Sequence, residues 1–292
     1  MRPRAATSVL FMATAIPLMA ASSVGSLAAA GRPRVPAEWE PALGALVAWP
    51  PIVPEARLVE IARDDRLFLM VADDRARSEA EAALGKLKID PAKVRFIVAP
   101  AGDARSWPRD WGPFPLFDEE GAFHLADPRF IDYPGSTPGC DGRLYAQRVL
   151  SLADFRADDA ATETVARTLG LSRVQLPFAL TGGNALVDGL GTAFSTCVML
   201  NENRRWLGIK EDELRRLVAD RLGITSHVII PNFEWFGIQH IDCLLKPLDE
   251  ETLLVKRVPA RHPDHEAIEA IVRRLASLTD PRGRPYRILR IE

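Results

Sequence analysis

The sequence predicts an α/β protein built from a repeated unit of strands and helices. Three observations carry that prediction. The first hundred residues alternate short apolar runs with stretches of helical spacing, the pattern of an α/β chain. Residues 181–230 and 239–291 each run hairpin, helix, strand, so a module recurs. The composition, 292 residues with 47% hydrophobic and 26% charged, is ordinary globular composition and enough chain for a substantial core.

The elements follow in order. Residues 45–49 read as a strand stopped by Pro50 and Pro51, and residues 54–62 as a short helix opened by proline. Residues 67–72 form a continuous apolar run bounded by charge, a buried strand. Ala80, Ala83, Leu84 and Leu87 set a helix over 76–87, and residues 94–98 a further strand. Residues 114–117 and 123–126 pair around Asp118-Glu119-Glu120-Gly121. Residues 134–142 are a Pro/Gly-rich loop carrying Cys140. Residues 144–152 and 160–169 are helical, the latter stopped by Gly170, and residues 173–176 are a short strand. A second hairpin joins 185–187 to a strand over 192–200 through Asp188-Gly189. A polar loop, Asn201-Glu202-Asn203-Arg204, leads to a helix over 210–222 stopped by Gly223. Strands over 226–230, 240–246, 253–257 and 286–291 and a helix over 264–275 complete the chain.

Charge and cysteine content narrow the class. A formal charge of −2 and a pI near 6.3 give no electrostatic basis for binding nucleic acid or an anionic membrane surface. Three cysteines, Cys140, Cys197 and Cys243, allow at most one bridge and no disulfide scaffold. The N-terminus reads as a signal peptide over 1–30. Arg2 and Arg4 precede an apolar core over 9–19, and Ser26-Leu27-Ala28-Ala29-Ala30 offers a small-residue cleavage site. Its Pro17 and Ala-rich end favour removal over an uncleaved anchor. The absence of an Arg-Arg pair favours the general secretory route. The expectation is an exported, soluble domain over 32–292, periplasmic or extracellular.

Three stretches concentrate polar residues where apolar runs end. Trp107-Pro108-Arg109-Asp110-Trp111-Gly112-Pro113 places two aromatic walls around a charged pair. Thr181-Gly182-Gly183-Asn184 permits close backbone approach or positive φ. His240 and Asp242 are two apart, so on a strand they share one face. Together they supply two carboxylates and an imidazole, suited to gripping and transforming a small cation. Each has a plainer reading: a solvated Arg109–Asp110 pair, an ordinary Gly182–Gly183 turn, a structural His240–Asp242 pair. His262 and His265 have metal-like spacing, but they sit at a helix start beside Pro263 and Asp264, so no metal site is expected.

At these residues the chain resembles the agmatine deiminase and bacterial peptidyl-arginine deiminase family, within the guanidine-modifying pentein superfamily. The matching pieces, in family order, begin with Pro36-Ala37-Glu38-Trp39-Glu40-Pro41 and Trp49-Pro50, followed by the tryptophan-bracketed stretch. Gly182-Gly183-Asn184 with Asp188-Gly189 comes next, then Asn201-Glu202-Asn203-Arg204 with His240-Ile241-Asp242. The resemblance implies a pentein-type α/β propeller of ββαβ modules with a central site. It implies hydrolysis of a guanidinium, on agmatine or on a free or peptidyl arginine, to a ureido group and ammonia. With agmatine the product is N-carbamoylputrescine, on the way to putrescine. No cofactor or metal is implied. A planar guanidinium pairs bidentately with carboxylates, which the resemblance assigns to Asp110 and Asp242, with His240 as general acid and then base. Trp107, Arg109, Trp111, Gly183 and Asn184 are expected to line the substrate. Arg129 is the candidate partner for a substrate carboxylate.

The family draws its nucleophile from a Gly-rich segment ending in His-Cys, near the C-terminus. This chain ends at Glu292 without it, so the last module is expected to be missing. None of the three cysteines replaces it convincingly. On a strand, Cys243 would face away from His240 and Asp242, while Cys197 reads as a core thiol and Cys140 as a loop thiol. The expectation is therefore either part of an active deiminase or a truncated guanidinium-binding remnant. Thr181, where agmatine deiminases usually carry an acid, and Phe130-Ile131-Asp132-Tyr133-Pro134 also depart from the family pattern.

Overall fold

The computed structural model describes residues 14–17, 31–100, 105–131, 155–231, 233–234 and 238–292. The proposed leader falls outside these residues except for Thr14–Pro17. Cys140 and the helix expected over 144–152 also fall outside them.

The first sheet has the order β1 (Thr14–Pro17), β2 (Ala42–Ala48), β3 (Leu67–Val71), β4 (Val94–Val98). Strands β2, β3 and β4 are parallel, and β1 pairs antiparallel with β2. Crossover helices α1 (Ala56–Asp64) and α2 (Asp74–Lys86) connect the parallel strands. All five residues of β3 are apolar and buried, as a central parallel strand covered on both faces requires. Asp73 caps α2 by accepting from the Ala76 amide at 2.8 Å.

The other three sheets repeat one topology. They are β5 (Phe114–Phe117), β6 (Phe123–Arg129), β7 (Ser172–Ala179); β8 (Leu186–Val187), β9 (Thr192–Thr196), β10 (Ser226–Ile230); and β11 (Leu245–Pro247), β12 (Thr252–Lys256), β13 (Arg287–Ile291). In each, the first two strands form an antiparallel hairpin and the third runs parallel to the second. The long crossovers carry α4 (Arg156–Asp159) with α5 (Ala161–Leu169), α6 (Cys197–Glu202) with α7 (Glu211–Leu222), and α8 (His265–Ala276). The module read from residues 181–291 is thus present, and a third copy precedes it. Gly170 and Gly223 end α5 and α7 in the left-handed conformation that favours glycine (φ +69° and +68°).

Two expected strands are something else. The strand expected over 192–200 stops at Thr196, where α6 begins. The Thr196 hydroxyl caps that helix by accepting from the Val198 amide, so Cys197 opens a helix. His240 and Asp242 do not lie on a strand; Ile241–Cys243 is a single 3-10 turn with His240 as its N-cap. The polar stretch 201–204 is likewise no loop. Glu202 ends α6 and Asn203 opens a π-helical turn, both buried.

Candidate active site

One short helical turn directly precedes the first strand of each three-stranded sheet. These are α3 (Pro108–Trp111) before β5, the 3-10 turn Gly182–Asn184 before β8, and the 3-10 turn Ile241–Cys243 before β11. Proline at the first position of α3 suits a helix start, since its missing N–H has no helical partner there. The modular topology brings the three turns together, and with them the three motifs singled out in the sequence.

They meet at Gly183. Its amide donates to Asp110 Oδ1 at 3.1 Å, and His240 Nδ1 lies 3.5 Å from the same oxygen. A methyl group on Gly183 would lie 2.5 Å from Asp110 Oδ1, 2.9 Å from Asp242 Oδ2 and 2.9 Å from His240 Nδ1. The glycine is therefore required for space, and two carboxylates and an imidazole converge on the space it leaves. Asp110 and His240 are 5% and 2% exposed, and Asp242 is half-buried.

The charges are coupled. For His240, burial is the largest single influence and disfavours the imidazolium. The charges of Asp110, Asp242 and Glu202, with the Asp110 contact, together outweigh it and raise the pKa. Burial raises the Asp242 pKa and nearby Asp110 adds to the rise, against the pull of His240 and Arg109. Such a site gains when a cation enters.

Several expected substrate contacts have other duties. Asn184, 1% exposed, lies under the site. Its Oδ1 accepts from the Thr196 amide (2.9 Å), the Thr196 hydroxyl (3.0 Å) and the Ile241 amide (3.2 Å), stapling the His240–Asp242 turn to the end of β9. Arg109 spends its donors within the protein: bidentately on Glu38 (2.8 and 3.2 Å), and on the carbonyls of Gly182 (3.1 Å) and Ala185 (3.2 Å). Trp111 is 3% exposed and belongs to the apolar core with Leu46, Phe68 and Phe130. Trp107 flanks α3 and is half-buried. Arg129, half exposed at the end of β6, faces Asp159 at 3.6 Å.

Two acidic residues near the site were not among the expected site residues. Glu202 is buried on α6 and its charge acts on His240. Glu234 pairs with Lys256 at 3.1 Å and receives the Gln239 side-chain amide through its backbone carbonyl (2.8 Å). The polar run 201–204 was one available signal for Glu202. Glu234 had none, because its partners are brought in by tertiary structure.

The two described cysteines are poor nucleophiles here. Cys197 is disulfide-bonded. Cys243 is free and its residue reaches solvent, yet burial of the thiol, then the neighbouring Asp242 and Glu234 carboxylates, push its pKa far above the ordinary range. Among the described residues no group of three or more His, Cys, Asp or Glu side chains is arranged to hold a metal.

Comparison with known proteins converges on one group. The chain is 28% identical over 268 residues to the agmatine deiminase of Stutzerimonas stutzeri, a match covering 86% of this chain and 67% of that one. It is 26% identical over 278 residues to the agmatine deiminase of Pseudomonas aeruginosa, covering 86% and 68%. The solved agmatine deiminase of Enterococcus faecalis superposes with a TM-score of 0.68 at 18% identity, over 89% of this chain and 70% of that one, so the mixed α/β fold is shared. Residues 34–292 match the Porphyromonas-type peptidyl-arginine deiminases, a span that contains all three site turns, and the chain belongs to that family.

Proposed function

We propose that the protein binds the guanidinium group of agmatine or of an arginine side chain between Asp110 and Asp242, as the binding half of guanidinium hydrolysis to a ureido group and ammonia. The observation that carries this reading is the convergence of both carboxylates and His240 on the space above Gly183. Carboxylates meet a planar guanidinium in paired, charge-assisted hydrogen bonds, and holding its positive charge makes the central carbon electrophilic. In the hydrolysis, a thiolate adds to that carbon. Ammonia leaves with a proton from the His240 imidazolium, giving a thiouronium. His240 then takes a proton from water, the resulting hydroxide adds to the same carbon, and the thiolate is expelled as the added hydroxyl gives up its proton to solvent, leaving the ureido group.

Neither Cys197 nor Cys243 is fitted to be that thiolate, which supports a second reading, guanidinium binding without turnover. Titration with agmatine and with a peptide ending in arginine, alongside an ammonia-release assay, separates the two. Asp242→Ala should weaken binding by at least about a hundredfold, because it leaves the substrate cation with one carboxylate. Equal affinity in wild type and Asp242→Ala would overturn the guanidinium reading. Ammonia release that Asp242→Ala abolishes would establish hydrolysis, and binding without release would establish the second reading.

The sign of the pH dependence follows from the coupled groups. A bound cation favours ionised Asp242 and neutral His240, and both have raised pKa values in the free site. Affinity should therefore rise with pH, from below the Asp242 pKa to above that of His240, and binding should release protons. Calorimetry in buffers of differing ionisation enthalpy measures this directly; net proton uptake on binding would contradict it.

We also propose that the repeated ββαβ sheets close into an α/β propeller around this site, and that the protein is exported with residues 1–30 removed. The three-fold recurrence of one topology, with a site turn before each first strand, supports the propeller. The charge and apolar pattern of the leader supports export.

A further inference from the structure

The N-terminal segment after the leader crosses three sheets. Arg34 exchanges two backbone hydrogen bonds with Phe117 of β5, at 2.7 and 2.8 Å. A methyl on Gly223 would lie 1.8 Å from the Pro33 carbonyl oxygen, and one on Gly189 would lie 2.9 Å from the Ala37 amide nitrogen, so both glycines make room for this segment. Glu40 closes a turn by accepting from the Ala37 amide at 2.7 Å, and it pairs with Arg34. The turn presents Glu38 to Arg109 on α3 and to Lys246 on β11, the latter at 3.3 Å.

Arg109 is itself a guanidinium, and it adjoins Asp110 in a site built to receive one. The charges of Asp242 and Asp110 act on it. We infer that Glu38 is a positioning residue that holds the chain's own guanidinium out of the pocket between Asp110 and Asp242, leaving those carboxylates free for a substrate. This inference rests on the guanidinium reading of the site.

The geometry sets the competition. Glu38 takes two Arg109 donors bidentately, and the carbonyls of Gly182 and Ala185 take one each, so the guanidinium plane is fixed at the base of the turn that carries Gly183. The Arg109 and Glu38 side chains are 19% and 12% exposed, so solvent offers little replacement for the carboxylate. Burial is the largest influence on Glu38 and would favour its neutral form. Arg109 and Lys246 together outweigh it and keep Glu38 ionised, with a lowered pKa. Without Glu38, Arg109 is a shielded cation lacking its counter-charge, and the other carboxylates whose charges act on it are those of Asp242 and Asp110. A pocket occupied from within is open to ligand for only a fraction of the time, and apparent affinity falls by that fraction.

The test is agmatine affinity, by calorimetric titration of the full chain and four variants, each first checked for a cooperative melting transition. Glu38→Ala should bind at least about tenfold more weakly than wild type, and Glu38→Gln should shift the same way, because a neutral amide retains shape and loses charge. Glu38→Ala combined with Arg109→Met should regain most of the loss, since the internal competitor is gone. Glu79→Gln, in an exposed pair with Arg75 on α2 and away from the site, should bind as wild type does. A purely architectural role for Glu38 predicts the reverse for the double variant, which would lose further contacts and bind no better than Glu38→Ala. That result, or wild-type affinity in Glu38→Ala, would overturn the inference while leaving the guanidinium reading in place. No agmatine binding by the unaltered chain would overturn both.

Discussion

Gly183→Ala should abolish guanidinium binding while leaving the chain folded. Gly183 does not need glycine for its backbone, since its φ lies outside the left-handed range that disfavours other residues. It needs glycine for space. The added methyl would meet Asp110 Oδ1 at 2.5 Å, Asp242 Oδ2 at 2.9 Å and His240 Nδ1 at 2.9 Å, all closer than real side-chain carbons approach. These three groups are side-chain ends, so they can retreat, and the fold survives. Their retreat is what destroys the site, because displacing binding groups by about 1 Å can cost on the order of a hundredfold. At Gly182 the same methyl would meet the Arg109 carbonyl oxygen at 1.8 Å, a backbone atom with nowhere to move. Position 183 is therefore the one that isolates the pocket. Agmatine titration should show at least about a hundredfold loss in Gly183→Ala, with a melting temperature close to that of wild type. Affinity within threefold of wild type, by roughly the resolution of such titrations, would mean that the convergence of the three side chains is not the binding site.

Much of this arrangement was legible in the residues, for identifiable reasons. Strand β3 declares itself through five consecutive apolar residues, and the ends of α5 and α7 through Gly170 and Gly223, because each signal is local and unopposed. Asp110, Gly183, His240 and Asp242 stood out because each motif sits where an apolar run stops. The conformation of the last pair was not legible. Two-residue spacing among apolar neighbours suggests a strand, but Gln239 adopts φ +62°, which breaks the extended chain one residue before His240. What holds Gln239 there is remote: its side-chain oxygen accepts from the Phe233 and Glu234 amides, and its side-chain amide donates to the Glu234 carbonyl. No propensity of glutamine announces this. The role of Arg109 was hidden for the same reason. Its partner Glu38 lies 71 residues away in sequence, and only the crossing of the N-terminal segment brings them together.

Asn184→Ala is expected to have the largest effect on stability, and the site should come apart with it. One oxygen, Asn184 Oδ1, receives three hydrogen bonds from two elements: the amide and hydroxyl of Thr196 at the β9–α6 junction, and the amide of Ile241 in the turn between His240 and Asp242. Asn184 and Thr196 are 1% and 0% exposed, and Ile241 is 0% exposed, so water does not replace the lost acceptor. The Thr196 hydroxyl can rotate toward another acceptor; the two amides cannot. A buried donor left unpaired costs about 1–3 kcal/mol, so two amides and the shortened side chain together should cost about 3–5 kcal/mol. For a chain of this size that lowers the melting temperature by roughly 5–8 °C. Agmatine affinity should fall as well, although Asn184 is placed beneath the pocket, because the turn that aims His240 and Asp242 loses its anchor. Calorimetric melting and titration of one preparation measure both effects. If Asn184 acted by touching the substrate, affinity would fall while the melting temperature held. That outcome would return Asn184 to the substrate contacts that the motif alone suggested, and the anchoring of the His240–Asp242 turn would have to come from elsewhere.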